Sequence, residues 1–233
     1  NILWQIWKAR NRKAFEEQEA DPRKAVQKAI VEWDEYIEAQ KDIAGEFIQQ
    51  TTNSCKGEKW RPPPHNSIRI NSDAAFSQNL ERTGIGVVAR NARGELLKAW
   101  ARSELKNSEP QVEEATAIRM GMQMAWEANW RTVEFQSDCK EVVDMINKEE
   151  KQQSRAAIIL EDIANMRCLF EQCTFSFVHR TGNVCAHSLA KYAIKLTKPV
   201  KWEVYFPMWL YERAQNEYQG SKSDVSNSCS IKL

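Results

Sequence analysis

The run Ile-Arg-Ile-Asn-Ser-Asp-Ala-Ala at residues 68–75 constrains this chain more than any other stretch. Side chains alternate along a strand, so Ile68 and Ile70 share one face while Arg69, Asn71 and Asp73 share the other. The next run, Thr-Gly-Ile-Gly-Val-Val-Ala at 83–89, carries two glycines and a Val-Val pair and predicts the neighbouring strand. Residues 90–94, Arg-Asn-Ala-Arg-Gly, predict a hairpin in which Gly94 takes the left-handed position, followed by a third strand over 95–102. A carboxylate on the first of three consecutive strands is the frame, and other groups must converge on Asp73 if it has a chemical role.

Downstream, Glu109-Pro110 predicts a helix start, and Val112, Ala115, Ile118, Met122 and Ala125 lie on or near one face of that helix. A fourth strand over 132–137 ends at Asp138, and a helix follows through Val142, Val143 and Ile146. Another helix is predicted over about 154–170, then a short strand at 174–178, a turn at 179–182 and a last helix over 183–196. The order β-β-β-α-β-α-α-β-α predicts an α/β layered domain, a five-stranded mixed sheet with helices packed against it. Residues 1–50 predict a helical segment, with Asp21-Pro22 as a helix start and Val26, Ile30, Trp33 and Ile37 on one stripe. Residues 51–67 lack hydrophobic periodicity, contain three consecutive prolines and predict a linker. The domain then spans 68–196, and 197–233 predict a partly disordered tail rich in Ser, Lys and Asn towards its end.

Charge does not single out a partner. The chain has 33 Lys and Arg against 32 Asp and Glu, a net charge of +1, so any nucleic-acid contact must come from a local patch. With a mean hydropathy of −0.63 and no run of eighteen apolar residues, the sequence predicts no transmembrane span. Six cysteines without a CxxC pattern predict reduced thiols and an intracellular setting, nuclear or cytoplasmic.

Three acids occupy related places in this layout: Asp73 on the central strand, Asp138 at the end of the fourth, and Glu114 one turn into the first helix. Open α/β sheets place their chemistry at the carboxyl edge of the strands. Carboxylates gathered there repel one another unless a cation intervenes. Oxygen-only ligation without a His or Cys cluster suits Mg²⁺ or Mn²⁺, and two such ions form the usual apparatus for phosphodiester hydrolysis. Spacing alone also allows three unrelated surface acids, and it names no substrate.

The ordered blocks carry more. Ile-Asn-Ser-Asp73-Ala-Ala, Gly84-Ile-Gly-Val-Val-Ala-Arg90, Glu114-Ala-Thr-Ala-Ile, Phe-Gln-Ser-Asp138-Cys and Val178-His-Arg180-Thr-Gly-Asn183-Val-Cys-Ala186-His187-Ser-Leu189-Ala190 succeed one another in this chain. The series resembles the plant reverse-transcriptase-like ribonuclease H domains related to non-LTR retroelements, within the ribonuclease H superfamily. The resemblance runs from about Trp60 to Leu196, and the segment Ile-Leu-Trp4-Gln-Ile-Trp7 is similar to the helical stretch preceding such domains. It implies strand order 3-2-1-4-5 and makes Asp73, Glu114 and Asp138 the ligands of two Mg²⁺ or Mn²⁺ ions. The implied activity is endonucleolytic cleavage of the RNA strand of RNA–DNA hybrids by a monomer without a membrane partner.

The chain departs from that pattern at two places. His187 stands where the superfamily has a fourth carboxylate, a change that resembles the plant subfamily, and Thr181 replaces an acid that usually follows the arginine. A histidine there adds no negative charge, and it is either an aid to proton transfer rather than a metal ligand or a partly exposed residue hydrogen-bonded to a neighbour. With Ala186, Leu189, Ala190 and Ala193 on the buried side of its helix, His187 is expected at the rim of the acidic edge. His179 is either a proton-transfer group or packing for the turn. No Lys- and Trp-rich handle lies between the middle helices, so substrate grip falls to Arg90, Arg93, Lys140, Arg180 and Asn183. The departures keep a second function open, a nucleic-acid-binding module of retroelement origin with weak or no turnover.

Overall fold

A computed structural model describes residues 59–77, 79–105, 109–148 and 155–229, with side chains to residue 220. The helical segment expected over 1–50 lies outside the described residues. The chain divides into two units, and the one formed by Lys56–Phe206 and Leu210–Leu233 carries the sheet and the candidate site.

Strands β1 (Ile68–Ser77), β2 (Arg82–Arg90) and β3 (Leu96–Leu105) form an antiparallel meander. Helix α1 (Pro110–Glu127) returns the chain to β4 (Thr132–Ser137), which lies parallel to β1. Helices α2 (Lys140–Lys148) and α3 (Ala157–Arg167) precede β5 (Gln172–Phe177), parallel to β4. A 3₁₀ turn at Arg180–Gly182 leads into α4 (Val184–Ala193). The sheet order is β5-β4-β1-β2-β3-β6, which is the expected 3-2-1-4-5 arrangement with one strand added at its edge.

That sixth strand and the helix after it differ from the tail expected beyond residue 196. β6 (Val200–Trp202) pairs antiparallel with β3 and covers backbone groups that would otherwise form an open edge. Helix α5 spans Met208–Cys229. The presumed linker also differs at its end: Trp60 is 1% exposed and its indole packs edge-on against Tyr218 with ring centroids 6.3 Å apart. A large aromatic ring gains more from burial than a proline-rich approach to a strand reveals.

The two faces of the sheet are chemically different. Ile70, Val87, Ala89, Val133 and Phe135 pack with Ile118, Met122, Val142 and Ile163 into the main core, where Phe135 stacks on Phe175 at 5.3 Å. The opposite face of β1 and β2 carries Asn71, Asp73, Gly84 and Gly86, and α4 lies directly upon it. A Cβ on Gly86 would stand 2.4 Å from the Ala190 amide nitrogen and 2.6 Å from the Ala186 carbonyl oxygen, so only glycine lets the helix backbone come this close. At the hairpin, Gly94 has φ +73°, as its position in the sequence predicts.

Since backbone cannot yield as a flexible side chain does, Gly86→Ala is expected to cost about 3 kcal/mol or more and lower Tm by roughly 6–12 °C. Gly121→Ala on α1 meets only side chains, the Ile70 methyl at 3.1 Å with Val87 and Phe135 at 3.5 and 3.6 Å, and is expected to stay within about 1 kcal/mol of the parent. Thermal denaturation of both variants checks the contrast, and equal stabilities would show that α4 tolerates displacement.

Candidate metal centre

Register places the acids. β1 and β4 run parallel with Ser72 beside Ser137, so the next residue on each chain, Asp73 and Asp138, also lie side by side. Pro110 opens α1 and sets Glu114 in its second turn, where Glu114 accepts a backbone hydrogen bond from Ala74 on β1. One carboxylate oxygen each from Asp73, Glu114 and Asp138 lie within 4.8 Å of one another. Glu113, one residue earlier and rotated by about 100° on the helix, is buried but does not join this cluster.

Burial makes the grouping unfavourable to full ionisation. Asp73 is 0% exposed. Its carboxyl is raised from an ordinary 3.8 to about 6, chiefly by desolvation and then by the charge on Asp138, against the lowering effects of His187 and Arg180. Glu114 is pushed well above the usual carboxylate range by the same burial and by both aspartates. Asp73 Oδ1 makes no hydrogen bond, and Arg180 Nη1 stands 3.7 Å away. A buried, unbonded carboxylate oxygen beside two further carboxylates, with all-oxygen donors, fits a hard divalent cation.

A guanidinium and an imidazole stand beside these acids. Arg180, with 52% of its side chain exposed, reaches Asp138 Oδ2 at 3.0 Å. Its Nη2 lies 2.8 and 2.9 Å from the two ring nitrogens of His187. His187 Nδ1 is 3.0 Å from Asp73 Oδ2. A guanidinium only donates, so the consistent tautomer has Nδ1–H donating to Asp73 and Nε2 accepting from Arg180. His187 is therefore buried against Asp73 itself and not at the rim, because the close seat of α4 on Gly86 carries it inward.

The remaining expected contacts scatter. Arg90 is 0% exposed, with its guanidinium 3.8 Å from the centre of the Trp60 ring and its Nη1 2.6 Å from Glu217, so it has no surface to offer a phosphate. Arg93 sits in the hairpin at the other end of β1 and pairs with Glu95 at 2.8 Å. Asn183 is buried and donates to Ser72 O at 3.0 Å and Asp138 Oδ1 at 2.9 Å, which makes it a support for the acid. His179 packs edge-on against Phe177 at 5.2 Å. Lys140 is exposed at the start of α2, two residues after Asp138. Sequence reading passed over Asn71 as a functional residue, although its place two residues before Asp73 on one strand face was the available signal.

The raised carboxyl of Asp73 has a signed consequence. Between pH 3.8 and about 6 the folded protein keeps a proton that the unfolded chain has lost. The ion-free protein therefore loses stability as pH rises through that window. Asp73→Asn removes this loss and is expected to raise Tm at pH 7.5, in chelator, by roughly 3–8 °C. Mg²⁺ is expected to stabilise the parent and not the variant. Differential scanning calorimetry from pH 4 to 8 measures both, and parallel pH profiles for parent and variant would refute the assignment.

Residues 71–193, just over half of the chain, match the reverse transcriptase-like family. No curated protein matches. Among solved structures the chain is similar to RNase H1 from the halophilic archaeon Halobacterium salinarum NRC-1, with 16% identity, a TM-score of 0.51 and coverage of 55% of this chain and 97% of that one. The N-terminal RNase H domain of a Mycobacterium tuberculosis protein gives 19% identity and 0.51 over 55% and 93%. LC11-RNase H1, solved in complex with an RNA/DNA hybrid, gives 20% and 0.50 over 55% and 96%. At these identities the structures establish a shared fold, and the sequence match supplies the kinship. This chain belongs to the reverse transcriptase-like family, and its sheet and helices adopt the RNase H-like fold.

Proposed function

We propose that this protein is a divalent-metal-dependent endonuclease that hydrolyses the RNA strand of RNA–DNA hybrids, from the plant, non-LTR-retroelement branch of its family. The observation that carries the reading is that one carboxylate oxygen each from Asp73, Glu114 and Asp138 lie within 4.8 Å of one another, with Asp73 Oδ1 buried and unbonded. Asp73, Glu114 and Asp138 would hold two Mg²⁺ or Mn²⁺ ions, which when bound supply Lewis acidity to the attacking water and to the departing 3′ oxygen. Water adds to phosphorus, the P–O3′ bond breaks, and the 3′ oxygen takes up a proton, leaving 5′-phosphate and 3′-hydroxyl ends.

The chain's own residues orient and grip. Nδ1–H of His187 holds Asp73 in place, and Nε2 is the atom that takes or returns a proton once Arg180 turns outward. Arg180 and the exposed Lys140 are the cations beside the acids that meet phosphate. RNA is told from DNA by its 2′-hydroxyls across a shallow minor groove, without reading of base sequence. The protein acts as a monomer in the nucleus or cytoplasm, and no helix among the described residues is long and apolar enough to cross a membrane.

A second reading, binding without turnover, is favoured by one observation. The Arg180 guanidinium already bridges Asp73 and Asp138, and His187 adds no negative charge to draw an ion past it.

A labelled hybrid duplex separates the two. The parent is expected to cut the RNA strand in Mg²⁺ and to stop in chelator, with Asp138→Asn lowering turnover about 10³-fold or more. His187→Ala is expected to lower it about tenfold by freeing Asp73, whereas His187→Asp matches or exceeds the parent. Cleavage at sub-saturating substrate is expected to fall several-fold between 50 and 200 mM salt. Hybrid binding with no cleavage in either metal would establish the second reading instead.

A further inference from the structure

Asn71 is fully buried and uses all four of its hydrogen-bonding positions. Its Oδ1 accepts from Trp60 Nε1 at 3.0 Å and Arg90 Nη2 at 2.9 Å. Its Nδ2 donates to Gln136 Oε1 at 3.3 Å and Asn183 Oδ1 at 3.1 Å. An indole and a guanidinium donate but never accept. They leave the Asn71 carboxamide only one orientation, oxygen towards them and nitrogen towards Asn183.

The constraint passes along. With its oxygen held by Asn71, Asn183 turns its own nitrogen to Ser72 O and to Asp138 Oδ1. The result is a one-way series of hydrogen bonds from Trp60 and Arg90, through Asn71 and Asn183, to one oxygen of Asp138. Arg90 is kept in place by Glu217 of α5, which also accepts the Cys185 backbone N–H at 3.3 Å in the first turn of α4.

We propose that Trp60, Arg90 and Asn71 are positioning residues for the metal centre, fixing the carboxylate plane of Asp138 through Asn183 so that Oδ1 stays bonded and Oδ2 faces the cation. Trp60 and Glu217 lie outside residues 71–193, so segments flanking the family match complete the centre. The inference rests on Asp138 binding a divalent ion, the reading proposed above.

Mn²⁺ titration of the full chain by electron paramagnetic resonance, with Tm in chelator measured alongside, tests it. Asn71→Leu keeps the side-chain volume but breaks the series, and is expected to weaken Mn²⁺ binding about 10-fold or more. Gln136→Leu removes Asn71's other acceptor and leaves the series intact. It is expected to lower Tm while holding the Mn²⁺ dissociation constant within about twofold, and a purely structural role for Asn71 predicts that both variants behave this way. Should Asn71→Leu not fold, NMR of the parent decides: the Asn183 carboxamide resonances are expected to shift and saturate with Mg²⁺. Unshifted Asn183 resonances, or unchanged Mn²⁺ affinity in Asn71→Leu, overturn the relay. A parent that binds neither ion overturns the metal-centre reading itself.

Discussion

Three carboxylates within 4.8 Å, one of them fully buried, form the arrangement on which the rest of this structure depends. Like charges at that spacing in a desolvated setting oppose ionisation, which raises the carboxyls of Asp73 and Glu114 above their ordinary range, and the protein answers with directed hydrogen-bond donors. The helix packed across β2 and its N-cap deliver two of those donors. Two glycines with no side chain between strand and helix let α4 approach, and with α4 come Asn183 and His187. Stability is thus reduced at the acids and regained in the packing that surrounds them, the usual division at a functional site.

His187 and Arg180 give this centre a different charge balance from one with a fourth carboxylate. The histidine bonds to Asp73 without adding negative charge, and the guanidinium lies across Asp73 and Asp138. The Arg180 side chain is half exposed, whereas the two aspartates that it faces are not.

The polar network beneath α4 links this chemistry to parts of the chain that look peripheral. Trp60 arrives from a proline-rich approach and Glu217 from the C-terminal helix, and both meet at Arg90. A buried guanidinium requires a partner with good geometry, since an unpaired one is strongly destabilising. The Arg90–Glu217 pair is therefore also a reason that residues beyond 193 belong to the folded unit.

Much of this was legible in one dimension. Alternation at 68–75 and the glycine at 94 determined the strand and hairpin, because both depend on local backbone geometry. The ordered acids at 73, 114 and 138 determined the candidate cluster, because strand ends in such a sheet share an edge. Tertiary structure decided the rest. It withdrew Arg90 into the interior, turned Asn183 from a substrate contact into a support, and brought His187 against Asp73. It also made a strand and a helix within a tail expected to be partly disordered. Which cation meets phosphate and which meets a buried glutamate depends on partners more than a hundred residues away, as Arg90 and Glu217 are, and a pattern of neighbouring residues contains no record of that pairing.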